Sequence, residues 1–227
     1  MDIILKIVEY IGVISFAISA TVIAINKRTD GVGAVMFALL TCFGGGLLRD
    51  VILGITPRIL TEQSYHYLAL TCIVTALVCF VFAFIPKTAE FISRHSHDFI
   101  IELTDAVGLS VFCVFGVNVA MEICPQANGV LLIFCGCVTG VGGGLLRDVC
   151  SAEIPFIFRK HIYLIPTLLG SSFYALTVKL IPNLLSMLIA IGIIIALRIL
   201  AVIFKWNLPV PGKTKKEEEN IKELILK

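Results

Sequence analysis

The chain has 227 residues, of which 58% are hydrophobic and 15% are charged, and its mean hydropathy is +1.00. Soluble domains are about 45–50% apolar and about 25% charged, so this composition excludes a soluble globular domain and indicates a polytopic membrane protein. The net charge of +2 gives no support for a nucleic-acid partner, since nucleic-acid-binding domains carry a strongly basic face.

Seven apolar stretches are long enough to cross a bilayer, because a spanning helix needs about 20 mostly apolar residues. In chain order they are 3–25, 32–53, 65–84, 100–121, 130–150, 162–180 and 184–204. Proline, glycine, asparagine and charged residues separate them, as is typical of loops. The first stretch is too long for the core of a signal peptide and lacks a positive flank, so it is expected to be a retained helix. The predicted fold class is an all-α polytopic membrane protein with seven transmembrane helices.

The chemistry-bearing residues outside these features favour neither a metal site nor an enzyme. The eight cysteines lie mostly in apolar stretches and are expected to be small buried hydrophobes. Cys135 and Cys137 diverge on a helix, and the histidines at 95–98 lie in a polar loop, so neither group is expected to bind a metal. The triple glycine described next lacks the Lys-Ser or Lys-Thr of a phosphate-binding loop. We expect no cofactor and no enzymatic activity.

An internal duplication organises the chain. The second stretch contains Gly-Gly-Gly-Leu-Leu-Arg-Asp at 44–50, and the fifth repeats it letter for letter at 142–148 (142 − 44 = 98 positions later). Three further pairs match at the same offset: Gly31 and Gly129, Pro57 and Pro155, and Tyr65 and Tyr163. Three earlier pairs match at an offset of 96 (105 − 9 = 96): Glu9 and Asp105, Gly12 and Gly108, and Phe16 and Phe112. Stretches one to three therefore correspond to stretches four to six, and the seventh lies outside the repeat.

The number of helices in each copy predicts an inverted arrangement. A three-helix unit crosses the membrane an odd number of times, so the second copy enters from the opposite side. Setting aside Arg49, Arg147 and Arg198 within the stretches, three Lys/Arg fall on the side of the N-terminus and twelve on the other. The positive-inside rule then places the N-terminus outside and the C-terminus in the cytoplasm. The predicted units are a first repeat (1–86), an inverted second repeat (99–181), a seventh helix (183–206) and a charged cytoplasmic tail (207–227).

The two glycine motifs are the candidate functional segments. Their glycines are Gly44, Gly45, Gly46, Gly142, Gly143 and Gly144. One alternative is that these glycines let neighbouring helices approach closely. The other is that they kink or interrupt the second and fifth helices and expose backbone carbonyls to a water-filled path. The charged pair that follows each motif favours a functional role, because a packing contact does not need a charge at bilayer depth.

The charged pairs are Arg49 with Asp50 and Arg147 with Asp148. Adjacent side chains on a helix point about 100° apart, so we expect cross-pairing between the copies, Arg49 with Asp148 and Arg147 with Asp50. The alternative is that all four lie at membrane edges and reach water along their apolar stems.

Three further polar residues are candidates. Glu9 and Asp105 are matched acids near the ends of the first and fourth helices, where they would attract cations or simply be solvated. Asn118 in the fourth helix either lines the path or bonds to a neighbouring helix.

Two three-helix units, each carrying Gly-Gly-Gly-x-x-Arg-Asp, and a seventh helix resemble the bacterial relatives of the trimeric intracellular cation (TRIC) channels, whose domain is also called a glycine-transporter domain. The resemblance covers about residues 9–204. It implies a homotrimer in the bacterial inner membrane with an hourglass pore for K⁺ and Na⁺ in each protomer. It also implies that the glycines bend helices two and five around the pore centre, with the two Arg-Asp pairs as its polar ends. The animal channels bind a phosphoinositide through Lys-Glu-Val, and because this chain has Leu-Arg-Asp there, we do not predict phosphoinositide dependence.

Two functions are consistent with these features. The first is a passive monovalent-cation channel, and the alternative is a secondary transporter of a small amino acid such as glycine. The channel is favoured because a three-helix repeat is a small unit for rocking motions.

Overall fold

The computed structural model describes residues 2–85, 96–159, 162–204 and Trp206. The charged tail predicted at 207–227 and the histidine-containing loop at 95–98 lie outside the residues whose side chains are described, so the predictions made for them stay predictions.

All regular structure in the described residues is helical. The helices are α1 (Asp2–Asn26), α2 (Gly31–Ile52), α3 (Arg58–Thr61), α4 (Gln63–Phe82), α5 (Ser96–Ile123), α6 (Gly129–Cys150), α7 (Phe156–Arg159), α8 (Leu164–Thr177) and α9 (Asn183–Ile203). Seven of them begin and end within four residues of a predicted transmembrane stretch. The one-turn helices α3 and α7 were not predicted, because a single turn leaves no hydrophobic period to detect.

The helix that corresponds to the sixth predicted stretch is shorter than expected. Six described helices, α1, α2, α4, α5, α6 and α9, are long and apolar enough to cross a membrane. The stretch predicted at 162–180 forms α8, which has only 14 residues. At 1.5 Å per residue, α8 is about 21 Å long, whereas the hydrocarbon core is about 30 Å thick.

Matched residues begin and end α2 and α6. Asp30 and Asn128 are the N-caps, and their Oδ1 atoms accept hydrogen bonds from the backbone N–H of Gly33 at 2.7 Å and Leu131 at 2.9 Å. These bonds satisfy N–H groups that lack a partner inside the helix. The same capping geometry at positions 98 apart shows that the duplication extends to backbone detail.

The C-terminal ends of α2 and α6 also match. Gly54 and Ala152 have positive φ angles of 69° and 55°. The N–H of Ile55 donates to the carbonyl of Asp50, and the N–H of Glu153 donates to that of Asp148, both at 3.0 Å. This is the Schellman arrangement, which favours glycine at the left-handed position. The first repeat has glycine there and the second has alanine.

The glycines of the duplicated motif bring α2 and α6 into direct backbone contact. A Cβ atom at Gly45 would collide with the carbonyl oxygen of Thr139, and a Cβ at Gly143 would collide with that of Thr41. The two contacts are reciprocal. Residue numbers rise along α2 while they fall along α6 at this contact, so the two helices cross antiparallel.

Both α2 and α6 continue through their three glycines without a break. The predicted interruption of these helices is therefore wrong, and close approach, the other alternative, is what the glycines provide. The physical reason is that the missing side chains are replaced by the backbone of the opposite helix, which supports the helical conformation. A bend without interruption stays a prediction.

The core continues where α1 packs on α5. The rings of Phe16 and Phe112 stack with centroids 5.4 Å apart, and both side chains are buried. The matched glycines make room for this contact, because a Cβ at Gly12 would lie 2.7 Å from Val111 and a Cβ at Gly108 would collide with Phe16. Helices α1, α2, α5 and α6 thus form a tight centre.

Candidate functional site

The Arg-Asp pair of the second repeat lies in a sealed cluster. Arg147 is 0% exposed, and its Nε donates to Asp148 Oδ1 at 2.9 Å. Its Nη1 donates to Asp105 Oδ1 at 3.1 Å and to Ser19 Oγ at 3.3 Å. Tyr163 completes the cluster, since its hydroxyl donates to Asp105 Oδ2 at 2.7 Å. Two carboxylates thus surround one buried guanidinium, as a buried charge requires.

Aromatic and cationic side chains cover this cluster. The ring of Phe156 lies over the guanidinium of Arg147, with 5.2 Å between the guanidinium carbon and the ring centroid. Arg198 of α9 lies over the ring of Tyr163 at 4.3 Å and is buried. Cation–π contacts of this kind strengthen when they are shielded from water. Because α9 is outside the duplication, Arg198 has no counterpart in the first repeat.

The corresponding cluster of the first repeat borders a cavity. Arg49 donates from Nε at 2.8 Å and from Nη2 at 2.6 Å to Asp50 Oδ1. A small cavity of about 30 Å³ lies against this pair and is also lined by Glu9 and Tyr65, the counterparts of Asp105 and Tyr163. In contrast to their buried counterparts, Glu9 and Tyr65 are half-buried.

A larger cavity of about 480 Å³, here called the vestibule, adjoins the small one. The two share Glu9, Tyr65, Phe115 and Val119 as lining residues. Charged residues of the vestibule are Lys6, Glu9, Arg58, Glu62 and Glu122. A chain of lining residues therefore leads from this polar space to Arg49.

Arg58 is a vestibule cation that ion pairs hold in place. Its guanidinium forms an ion pair with Glu62 and lies 3.4 Å from Glu122. Partial burial lowers the pKa of Arg58, but the bond to Glu62 and the nearby Tyr65 and Glu122 outweigh it, so the pKa of Arg58 is raised. Arg58 therefore stays charged at any physiological pH.

The predicted cross-pairing between the repeats is wrong, because each arginine pairs with the aspartate that follows it. The reason is the second oxygen of each aspartate. Asp50 Oδ2 accepts the backbone N–H of Arg58 at 2.8 Å, and Asp148 Oδ2 accepts that of Phe156 at 2.9 Å. These bonds hold each carboxylate beside its own helix end, where a long arginine side chain can fold back to reach it.

The burial of these groups also excludes the alternative in which they reach water at the membrane edge. Arg49, Asp50, Arg147 and Asp148 are each at most 3% exposed. Asp105 is likewise buried, so it is not the solvated residue that was one of its two alternatives. The arginine and aspartate side chains are instead internal links between helices.

Asn118 makes the bond to a neighbouring helix that was one of its two alternatives, and a role in lining the path stays a prediction. It lines the vestibule, and its Oδ1 lies 3.0 Å from the hydroxyl of Tyr174 on α8. That hydroxyl is also 2.6 Å from Asn183 Oδ1. Asn118 therefore links α5, at the wall of the vestibule, to α8.

The sequence matches Tyr65 with Tyr163 without indicating a role for them, and it does not predict Ser19, Arg58, Phe156 and Arg198 as site residues. The matched acids at 9 and 105 were the usable signal. Tyr163 donates to Asp105, and Tyr65 lines the same two cavities as Glu9.

A sequence profile described as Glycine transporter matches the chain twice, over residues 6–83 and 102–179, which together cover more than half of it. The chain belongs to this family. The two matches are offset by the same 96 positions that separate Glu9 from Asp105, so each copy of the duplication corresponds to one family unit.

The relatives of this chain are described as membrane proteins. The UPF0126 inner membrane protein YadS of Escherichia coli K12 is 30% identical over 203 residues, which cover 89% of this chain and 93% of YadS. The UPF0126 membrane protein YvgT of Bacillus subtilis is 28% identical over 205 residues, which cover 90% and 95% of the two chains.

Solved structures identify the fold of the family as TRIC-like. A prokaryotic TRIC channel crystallised in 0.5 M KCl is 32% identical with a TM-score of 0.78, covering 92% of this chain and 100% of the other. The TRIC orthologue from Rhodobacter sphaeroides is 29% identical with a TM-score of 0.77, covering 89% and 98%. This chain is therefore a TRIC-like integral membrane protein.

Proposed function

We propose that the protein is a homotrimeric monovalent-cation channel for K⁺ and Na⁺ in the bacterial inner membrane, with one path in each protomer. The observation that carries this proposal is the pair of adjoining cavities that leads from a polar vestibule to Arg49, beside the glycine crossing of α2 and α6. The TRIC-like fold supports it, because the solved relatives are described as cation channels.

The charge of the vestibule suits cations. Three carboxylates, those of Glu9, Glu62 and Glu122, line it against the two cations Lys6 and Arg58. An excess of carboxylates at a mouth raises the local concentration of cations. Beyond Arg49 the path passes the glycine crossing, where the helices are expected to bend, and ends at the Arg147 cluster. That cluster is the closed end of the path in this conformation.

The helix contacts support the inverted 3+3 repeat. A two-fold axis that exchanges the repeats also exchanges the Gly45–Thr139 contact with the Gly143–Thr41 contact. Because α2 and α6 cross antiparallel, that axis lies in the membrane plane, so Glu9 and Asp105 belong to opposite faces. Seven crossings follow if α8 is extended by the turn up to Ile181, whose N–H donates to the carbonyl of Thr177. Residues 164–181 are then about 27 Å long.

The positive-inside rule gives the orientation. The vestibule faces outside with the N-terminus, and the Arg147 cluster lies toward the cytoplasm with the C-terminus. The two repeats, the seventh helix and the tail keep the boundaries given above.

Recordings in planar bilayers test the proposal against the transporter alternative. Purified protein is expected to give unitary current steps in symmetric KCl without glycine. A lipid-facing variant, Val78→Leu on the exposed face of α4, is the matched control and should conduct as wild type does. Saturable uptake of glycine into liposomes without current steps would overturn the proposal. Chemical cross-linking in native membranes tests the trimer, which is expected to give a three-chain product.

A further inference from the structure

The two halves of the path are built from matched residues but are closed to different degrees. In the second half, Asp105 is 0% exposed and Tyr163 is 4% exposed. In the first half, Glu9 and Tyr65 are half-buried and line both cavities. The ends of α2 and α6 are capped alike in the two halves, whereas the side chains that border Arg49 and Arg147 differ.

The residue after the loop proline is a position where the halves differ. Arg58 follows Pro57 in the first repeat, and Phe156 follows Pro155 in the second. Both begin a one-turn helix, and both donate their backbone N–H to the aspartate of their own motif. The two side chains therefore start from equivalent anchored positions beside equivalent arginines.

From these positions the side chains turn in opposite directions. The ring of Phe156 turns inward and covers Arg147, which is then fully buried. The guanidinium of Arg58 turns outward to Glu62 and Glu122 and lines the vestibule. The space beside Arg49, about 30 Å³, is enough for about two water molecules.

We propose that the residue after the loop proline is the lid of each half, so that Phe156 closes the second half while Arg58 leaves the first half open. This assignment rests on the proposed function, because it states which side chains decide access to the path. The lid is a positioning residue that acts through the neighbouring arginine, since Phe156 covers Arg147 and Arg58 leaves a cavity beside Arg49.

Local charge explains why arginine at 58 does not cover Arg49. Two guanidinium groups repel each other in a low-dielectric site, and Glu62 and Glu122 draw Arg58 away. At the positions that match Glu62 and Glu122 the chain has Lys160 and Asn26, neither of which carries a carboxylate. The first half thus holds two acids that pair with its own lid and that have no acidic counterpart.

The two matched tyrosines are internal reporters for the test. Hydroxyl-radical footprinting of the purified trimer, read by mass spectrometry, measures oxidation of Tyr65 and Tyr163 in the same sample. In wild type we expect Tyr65 to be oxidised several-fold faster than Tyr163. In Arg58→Phe, oxidation of Tyr65 is expected to fall several-fold, whereas Arg58→Gln, which removes the charge without adding a ring, should leave it unchanged.

In the second half, Phe156→Ala is expected to raise oxidation of Tyr163 several-fold, and Phe156→Tyr, which keeps the ring, should not. Phe156→Leu is the second variant if the alanine variant does not assemble, and an intermediate rise is expected for it. The assignment is overturned if alanine and tyrosine at 156 give equal oxidation of Tyr163, or phenylalanine and glutamine at 58 give equal oxidation of Tyr65.

Currents separate this inference from the proposed function. Phe156→Ala should increase the mean current through reconstituted protein, and Arg58→Phe should decrease it. If no form of the protein conducts but oxidation of the two tyrosines changes as expected, the lid assignment is supported and the channel proposal is overturned. If wild type conducts but the substitutions do not change oxidation of the two tyrosines, the channel proposal is supported and the lid assignment is overturned.

Discussion

The Cα atom of Gly45 faces the carbonyl oxygen of Thr139 so closely that no side chain fits between them. Glycine is required here for a backbone-to-backbone contact rather than for a break in the helix. We therefore expect Gly45→Ala to push α2 away from α6 and to lower the melting temperature in detergent strongly, since overpacking costs about 1–3 kcal/mol.

The matched control for this prediction is Gly192→Ala. No atom lies near a Cβ at this position in the middle of α9. Alanine favours a helix over glycine by about 1 kcal/mol, so this variant should be as stable as wild type or slightly more stable. Equal melting temperatures for the two variants would contradict the contact.

The paired helix ends predict opposite effects of exchanging glycine and alanine. Ala152 holds a left-handed conformation that Gly54 holds in the first repeat. Ala152→Gly should raise the free energy of unfolding by up to about 1 kcal/mol, and Gly54→Ala should lower it by a similar amount. Thermal unfolding of both variants checks this, and changes of the same sign in the two would contradict it.

Buried charge pairing predicts that Asp105 is important for stability. Asp105→Asn leaves Arg147 buried with only one carboxylate, which is expected to cost about 3–5 kcal/mol. Tyr163→Phe removes one hydrogen bond to that carboxylate and should cost only about 1–3 kcal/mol. Denaturation in a graded detergent series measures both, and a larger loss in Tyr163→Phe would show that the ion pair is not the main link.

Substitution of Glu9, the counterpart of Asp105, is expected to change conduction and not stability. Glu9 is half-buried and lines both cavities. Glu9→Gln should leave the melting temperature nearly unchanged and should lower the single-channel conductance in dilute KCl, because the vestibule loses one of its three carboxylates. Raising the salt concentration should reduce the difference. A conductance equal to that of wild type in dilute salt would exclude Glu9 from the path.

Most of the scaffold could be predicted from the sequence, because hydrophobic length and an exact duplication are strong signals. Six long helices lie where their apolar stretches predicted them, and the matched Gly12 and Gly108 each make room for a side chain where α1 packs on α5. The length of α8 could not be predicted, because hydropathy shows which residues are apolar and not where helical hydrogen bonding stops.

The side-chain pairing in the candidate site could be predicted only in part. The matched Glu9 and Asp105 both lie near the arginine of a glycine motif, but the buried ion pair of Asp105 with Arg147 was not among the alternatives for it. The partner of Arg49 depends on an oxygen of Asp50 that also binds the backbone of Arg58, and a tertiary contact of this kind leaves no pattern in the sequence. The difference between Arg58 and Phe156 was visible in the alignment of the repeats, but its meaning depends on which way each side chain turns.

The reversal potential of the reconstituted wild-type protein under a KCl gradient tests directly whether a cation path runs through each protomer. Unitary currents are expected to reverse near the K⁺ equilibrium potential and to persist without glycine. A reversal potential at the Cl⁻ equilibrium value, or no current under conditions in which glycine is taken up, would contradict a cation path.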